Sequence, residues 1–287
     1  MMDEPRESRP LVSVVLPTRN CVDIIGACLA SLETQTYLNV EIVGVDAEST
    51  DGTAEIMTEA TTFFSFTIQP EMPWGTPYQV VFGAEKARGE FLYFVDSDMV
   101  LATDAIATYV GQMDATGADA LVVPEISFGD GFWAACKVLE RSSYLLGDSS
   151  IEAPRFIRKS VWRESGGYDP TMGGLLDWDF HHRLKTQGKR IIRGDIPVYH
   201  NEGHLTLRKL VRKKFTYGKS TARYLSMHWR DREVAANQFN LFRPVFFRNW
   251  RAFVADPPHA AGVFVMKLVE GAAWGAGFLQ SRIRPAG

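Results

Sequence analysis

Asp96 and Asp98 stand one residue apart in the stretch FLYFVDSDMVL, where an apolar run from Phe91 to Val95 leads straight into two carboxylates. Negative charges at that spacing repel unless a cation or ligand hydroxyls compensate them. Hard carboxylate oxygens suit Mg2+ or Mn2+, and such an ion in turn suits a diphosphate. Asp46 and Glu48 follow a second apolar run, VEIVGV, in the same way. Asp177 opens DWDFHHRLKTQG, Arg155 lies in EAPRFIRK, and His200 closes RIIRGDIPVYH. Each has a plainer alternative. Asp96, Asp98 and Asp177 could cap helices, and Arg155 could pair with Glu152. His200 could be a hydrogen-bonded structural histidine, and His204 competes with it for any metal role. His181 and His182 are adjacent on an expected helix and cannot both face one site.

The surrounding elements decide where these groups point. LVSVVLP (11–17) predicts a strand buried on both faces. A helix follows, with Asp23 expected at its N-cap, then VEIVGV as a strand, the turn AESTDGT, a short helix AEIMTEA and a strand SFTIQ. PYQVVFGAEKA predicts a helix leading to the strand FLYFV. Thr103 is expected to cap the helix ATDAIATYVGQMDA, Gly117 to end it, and ALVVP to form another strand. Strands alternating with helices at this spacing specify an α/β domain with a mostly parallel sheet flanked by helices. Ligands of such sheets gather beyond the carboxyl ends of the strands, which is where Asp46, Glu48, Asp96 and Asp98 fall. After Pro124 the pattern is less regular: helices over GFWAACKVLERSSYLL, SVWRESGGYD and DWDFHHRLKTQG, an extended EAPRFIRK, and short strands before His200. From Thr206 the chain reads as helical.

A chain of 287 residues with 46% hydrophobic and 23% charged residues can bury an ordinary core, which excludes wholesale disorder and collagen-like order. The opening MMDEPRESRP has no apolar core of a secretory signal, so a cytoplasmic location is expected. Three cysteines, Cys21, Cys28 and Cys136, show neither a disulfide framework nor zinc spacing. The net charge of -3 hides an asymmetry: from Leu205 onward there are fifteen Lys and Arg against four Asp and Glu. A basic end of this kind meets something anionic, such as a phosphate group or the inner face of a cell membrane. Nucleic acid is not expected, because aromatic platforms and a recognised module are lacking. AGVFVMKLVEGAAWGAGFL is long enough to span a bilayer, but Lys267 and Glu270 lie in its middle, at a cost of about 2.5–3.5 kcal/mol each. That leaves a helix lying at a membrane interface or packed against a second subunit of a homo-oligomer.

Taken in order, VSVVLPTRN, VEIVGVDAESTDGT, ARGEFLYFVDSD and ESGGYDP with LLDWDFHHRL resemble the family-2 inverting glycosyltransferases of the GT-A fold over residues 11–204. PWGTPYQVVFG, EAPRFIRK and YHNEGHLTLRKLVRKKFTYGKS are similar to a bacterial and archaeal branch that attaches sugars to cell-surface or lipid-linked acceptors. The resemblance implies a GT-A domain over residues 1–204 with a basic helical extension over 205–287. It implies transfer of a sugar from a nucleotide-diphospho-sugar to an acceptor hydroxyl of a glycan or polyprenyl-linked precursor, with inversion. By that likeness Asp98 holds Mn2+ or Mg2+ and His200 completes the metal shell, while Asp96 meets the ribose or assists the metal. Asp177 acts as base. Pro17, Thr18, Arg19, Asp46 and Glu48 line the donor, and Arg155 contacts the diphosphate or the acceptor. Ala47, Val81 and Leu176 depart from the family pattern, which usually has polar residues there. Two rival readings remain. One is a nucleotidyltransferase, whose Gly-rich loop with a trailing Lys is missing after LVSVVLP; the other is a non-catalytic GT-A-like binding protein.

Overall fold

The computed structural model describes residues 9–59, 64–68, 76–147, 152–228, 240 and 243–283. In chain order the elements are β1 (Val12–Thr18), α1 (Val22–Glu33), β2 (Val40–Asp46), α2 (Thr53–Glu59), β3 (Phe64–Ile68), α3 (Thr76–Lys86), β4 (Phe91–Phe94), β5 (Met99–Val100), α4 (Ala105–Thr116) and β6 (Ala120–Val122). Then come β7 (Glu125–Asp130), α5 (Phe132–Ser142), β8 (Phe156–Arg158), α6 (Lys159–Glu164), α7 (Leu176–Thr186), β9 (Ile191–Arg193) and β10 (Val198–His204). The chain closes with α8 (Leu207–His228), α9 (Pro244–Arg248), α10 (Trp250–Ala255) and α11 (Pro257–Ile283). By density of contacts it divides into two compact units. The first comprises residues 1–124, 154–170 and 180–198; the second comprises 125–153, 171–179 and 199–287. The C-terminal helices expected as an extension thus belong with a unit that also draws in two earlier segments.

The first unit is built on a seven-stranded sheet of order β3-β2-β1-β4-β8-β6-β9. β1 pairs in parallel with β2 and β4, and β2 with β3, so the carboxyl ends of these strands share one edge. Only β8 runs against its neighbours, inserted antiparallel between β4 and β6. Every residue of β1 and β4 is buried, as their unbroken apolar runs require of strands covered on both faces. The core beneath β4 is aromatic: Phe91 stacks on Phe156 with ring centroids 5.1 Å apart, and Tyr93 meets Tyr109 edge-on at 5.7 Å.

Two expected caps are replaced by other groups. α1 begins before Asp23, and its first amides are satisfied from the β2–α2 turn: Asp51 Oδ2 accepts from Val22 N at 3.1 Å, and Thr53 Oγ1 from Cys21 N at 2.9 Å. Asp51 Oδ1 also accepts from Thr53 N at 3.0 Å, so one carboxylate caps two helix starts. At α4 the N-cap position is Asp104 and not Thr103, and Gln35 Oε1 reaches across to accept from Ile106 N. Gly117 ends α4 in the left-handed region as expected, with φ 62°.

In the second unit β7 pairs with β10, and α11 packs along α8 and α5. α8 and α11 touch backbone to backbone: a Cβ on Gly218 would strike the carbonyl of Trp274, and one on Gly277 the carbonyl of Phe215. This contact turns the charges of α11 inward. Lys267 pairs with Glu140 of α5 and, at 2.9 Å, with Glu270; Lys137 bridges Glu140 at 2.8 Å and Glu270 at 3.3 Å. Lys214 of α8 completes the cluster 4.0 Å from Glu270. The polar stripe of α11 therefore neither faces a membrane nor waits for a second subunit; it is answered within the chain. Burial alone would raise the Glu140 carboxyl, but Lys137 and Lys267 outweigh it and hold Glu140 well below the usual carboxylate range.

With three lysines against two glutamates, Lys214 is the cation in excess, and burial lowers its pKa to about 7. A lysine whose folded pKa lies below its unfolded value, about 10.4, weakens the fold fully below the folded pKa. That penalty fades as pH rises between the two values. Urea unfolding of the native chain should therefore show this contribution to stability growing from about pH 7 toward about pH 10. Lys214→Met should remove that rise and be the more stable form on the acid side; identical pH profiles for the two proteins would contradict the assignment.

Candidate active site

At the carboxyl edge of the first unit's sheet, the loops after β1 and β2 are stapled together. Asp46 ends β2 with only 2% of its surface exposed. Its Oδ1 accepts from Thr18 Oγ1 at 2.9 Å and Ser49 Oγ at 2.5 Å, and its Oδ2 from Ser49 N at 2.8 Å. Across the loops, Asn20 N donates to Ser49 Oγ at 2.8 Å and Asn20 Oδ1 accepts from Thr50 N at 2.9 Å. Asn20 and Glu48 take left-handed backbone angles, φ 47° and 51°, the kind of local strain a surrounding network must hold in place. Arg19 and Glu48 are exposed, while Pro17 is a buried strand residue in register with Val45. Sequence reasoning missed Gln79, a buried residue in the first turn of α3, whose Nε2 donates to the carbonyls of Thr18 at 2.8 Å and Val45 at 2.7 Å. A glutamine directly ahead of the apolar run Val80–Ala84 was the available signal.

The carboxylates after β4 sit on a tight turn closed by Met99 N donating to Asp96 O at 3.0 Å. Asp96 Oδ2 pairs with Arg155 Nη1 at 3.1 Å, with the Asp96 side chain 37% exposed. Arg155 sits beside Asp96 because β8 lies next to β4 and the Arg155 main-chain carbonyl accepts from Phe94 N at 2.9 Å. Asp98 is half-buried, with its Oδ1 withdrawn from solvent. Beneath the pair lies Cys28: burial, then the Asp98 and Asp96 charges, push its thiol far above the usual range, so it stays neutral. All three cysteines are free and buried.

Asp177 and His200 belong to the second unit. Asp177 lies in the first turn of α7, one residue inside the helix, and its Oδ1 accepts from Trp178 N at 2.9 Å. α8 fixes the approach to this turn. A Cβ on Gly173 would collide with Ser220 and one on Gly174 with the Tyr217 ring, and buried Asp179 bonds His228 Nε2 at 2.8 Å. His200 is buried in β10 with Nδ1 3.2 Å from Glu125 Oε2. Glu125 also holds Arg141 at 2.5 Å, and Arg141 reaches Glu202 at 2.9 Å. A histidine whose Nδ1 is fixed by a carboxylate would ligate a metal only through Nε2, the arrangement seen where an outer carboxylate orients a ligand. His181 is buried and His204 exposed. Among the described residues no three His, Cys, Asp or Glu side chains form a metal-holding group. The hard oxygens of Asp96 and Asp98 suit Mg2+ or Mn2+ where a diphosphate supplies further oxygens.

Replacing Asp46 by Ala would leave the buried Thr18 hydroxyl and the half-buried Ser49 hydroxyl without their acceptor. We expect Asp46→Ala to lower unfolding free energy in urea by about 2–3 kcal/mol, and Asp46→Asn, which keeps one oxygen acceptor, by about half as much. A loss under about 0.5 kcal/mol for Asp46→Ala would show that this network does not hold the loops.

With this geometry in place, the chain can be compared with known proteins. It is 31% identical over 120 residues to glycosyltransferase GlyG of Streptococcus pneumoniae, covering 39% of this chain and 38% of that protein. It is also 31% identical over 104 residues to an Escherichia coli UDP-Glc:alpha-D-GlcNAc-diphosphoundecaprenol beta-1,3-glucosyltransferase, covering 36% of this chain and 41% of the other. The chain thus spans well under half the length of these relatives. Among solved structures, the mannosyltransferase PcManGT of Pyrobaculum calidifontis, in complex with GDP-Man and Mn2+, superposes with a TM-score of 0.58 at 18% identity over 97% of this chain and 76% of that one. That likeness establishes the GT-A type of α/β fold. The sequence profile of glycosyl transferase family 2 matches residues 13–215, so the strand-edge carboxylates and the α7 turn all lie within it and the chain belongs to that family.

Proposed function

We propose that the chain is a metal-dependent inverting glycosyltransferase that moves a sugar from a nucleotide-diphospho-sugar to an acceptor hydroxyl. The observation that carries this reading is the pair Asp96 and Asp98 at the carboxyl end of β4, with Arg155 set 3.1 Å from the first of them. Asp98 would hold Mn2+ or Mg2+, with His200 as a further ligand, and the ion would supply charge neutralisation at the diphosphate leaving group. Arg155, paired with Asp96, would turn toward the diphosphate as Asp96 engages the ribose or the ion. Thr18, Arg19, Asp46 and Glu48, on loops stapled across the β1 and β2 ends, would receive the nucleoside, with Pro17 beneath them. Asp177 would accept the proton of the attacking hydroxyl. The oxygen of that hydroxyl forms the new bond to the anomeric carbon, while the bond from that carbon to the diphosphate oxygen breaks and its electron pair leaves with the nucleoside diphosphate. The apolar Ala47, Val81 and Leu176 would alter the subsite for the base.

The E. coli relative is named for a diphosphoundecaprenol-linked acceptor, and α8 carries seven Lys and Arg with no Asp or Glu. Both support a polyprenyl-linked or cell-surface glycan acceptor and a workplace on the inner face of the cell membrane. Nucleic acid is not part of the proposal.

Incubated with nucleotide sugars and Mn2+, the protein should release nucleoside diphosphate, and chelation should stop it. Asp98→Ala should lower turnover by about a thousandfold or more with an unchanged unfolding profile. Asp177→Asn should abolish transfer to acceptor while donor binding, read by thermal shift, persists. Full turnover by Asp98→Ala in chelator would refute the metal role, and pyrophosphate release from a nucleoside triphosphate would point to a nucleotidyltransferase.

A further inference from the structure

α11 is built the wrong way round for water. Its charged Lys267 and Glu270 are buried, 7% and 3% exposed, while Phe264, Val265, Leu268, Leu279 and Ile283 are 44–78% exposed. These positions fall on one helical face about 29 Å long, at 1.5 Å per residue, and that face carries no charged residue between Pro257 and Ser281. A helix packed against its own domain in water shows the opposite pattern. α11 is long and apolar enough to cross a membrane by composition, yet its charges are tied to α5 and α8 by Glu140, Lys137 and Lys214. Crossing would require breaking that cluster.

α8 supplies a second feature beside the first. Arg208, Lys209, Arg212, Lys213, Lys219 and Arg223 are all exposed, and the helix contains no acid. Phe215 of α8 lines a shallow groove together with Ala276, Leu279 and Ile283 of α11, and Lys219 Nζ lies 5.0 Å from the Phe215 ring. The cation row therefore borders the apolar stripe. α10, which packs against α11, adds exposed Trp250 and Val254, with Arg251 5.7 Å from the indole. Tryptophan and arginine beside aliphatic side chains are the residues that settle at the boundary between headgroups and acyl chains.

We propose that the outward face of α11, with the cationic face of α8 and the α10 aromatic beside it, docks on an anionic phospholipid bilayer and lies in its interface without crossing it. The proposal rests on the reading of a membrane-borne acceptor and gives it a surface. A second copy fits less well: pairing two such faces would bring two cation rows together with no carboxylate on either to answer them. An anionic bilayer answers both features at once, taking the apolar stripe among its acyl chains and the cations among its phosphates.

The test is co-sedimentation of the full-length protein with vesicles of phosphatidylcholine alone or mixed with phosphatidylglycerol, run beside donor hydrolysis in solution. The native protein should pellet with the mixed vesicles and not with phosphatidylcholine alone. Leu268→Glu combined with Leu279→Glu should weaken that binding by about tenfold or more, and Arg212→Ala with Lys219→Ala should weaken it and reduce its salt dependence. Donor hydrolysis should be unchanged in both, so a failure here is separable from failure of the transferase reading. The proposal is overturned if the native protein ignores anionic vesicles, if the glutamate variant binds them equally well, or if the native protein is a dimer in solution that the glutamate substitutions dissociate.

Discussion

Charge compensation governs this molecule. A buried strand that ends in two carboxylates one residue apart is tolerable only if positive charge comes to meet them. The first unit supplies part of it: Arg155, carried by the antiparallel strand β8 to the edge of β4, stands against Asp96. Asp98 is half-buried above the neutral thiol of Cys28, and in the proposed function it is the residue that would hold the divalent cation. The sheet order follows the same logic. Placing β1, β2 and β4 side by side and parallel lines up Thr18, Asp46 and Asp96 along one edge, and the Asp46 and Gln79 hydrogen bonds hold that edge firm.

The second unit meets a similar problem by other means. Lys137, Glu140, Lys267 and Glu270 neutralise one another in the space between α5 and α11, and Lys214 joins them at some cost. Such a cluster adds little net stability compared with apolar packing, but removing one partner leaves a buried charge and is expensive. Its effect is directional: it settles which face of α11 turns inward and thereby which face is left outside. α8 is the hub of the unit, touching α11 at Gly218, the glycines ahead of Asp177 through Tyr217 and Ser220, and Asp179 through His228.

Much of this is legible in the sequence, and the parts that are not share a cause. Apolar runs such as LVSVVLP and FLYFV show their strands because burial on both faces leaves a continuous signal, and DSD and LDWDF stand out because charge interrupts apolar patterning. β7 escapes notice: EISFGD is only partly buried and has no clean alternation. Caps are misassigned where the capping group comes from afar, as Asp51 does for α1 across 29 positions and Gln35 for α4 across 71. Arg155 finds Asp96 and His200 finds Glu125 through strand order, which local pattern does not encode. α11 is the clearest case. In sequence its lone Lys and Glu only count against crossing a bilayer, and the partner residues 133 and 127 positions away, Lys137 for Glu270 and Glu140 for Lys267, reveal that they face inward.

The central claim is that Asp98 anchors a divalent cation whose remaining oxygens come from a diphosphate. The most direct measurement is a Mn2+ titration followed by electron paramagnetic resonance of the free ion, with and without added nucleoside diphosphate. The account predicts weak binding alone, tightening about tenfold or more with the nucleotide, and loss of that tightening in Asp98→Asn. Equal Mn2+ affinity in native and Asp98→Asn proteins, with no effect of the nucleotide, would contradict it.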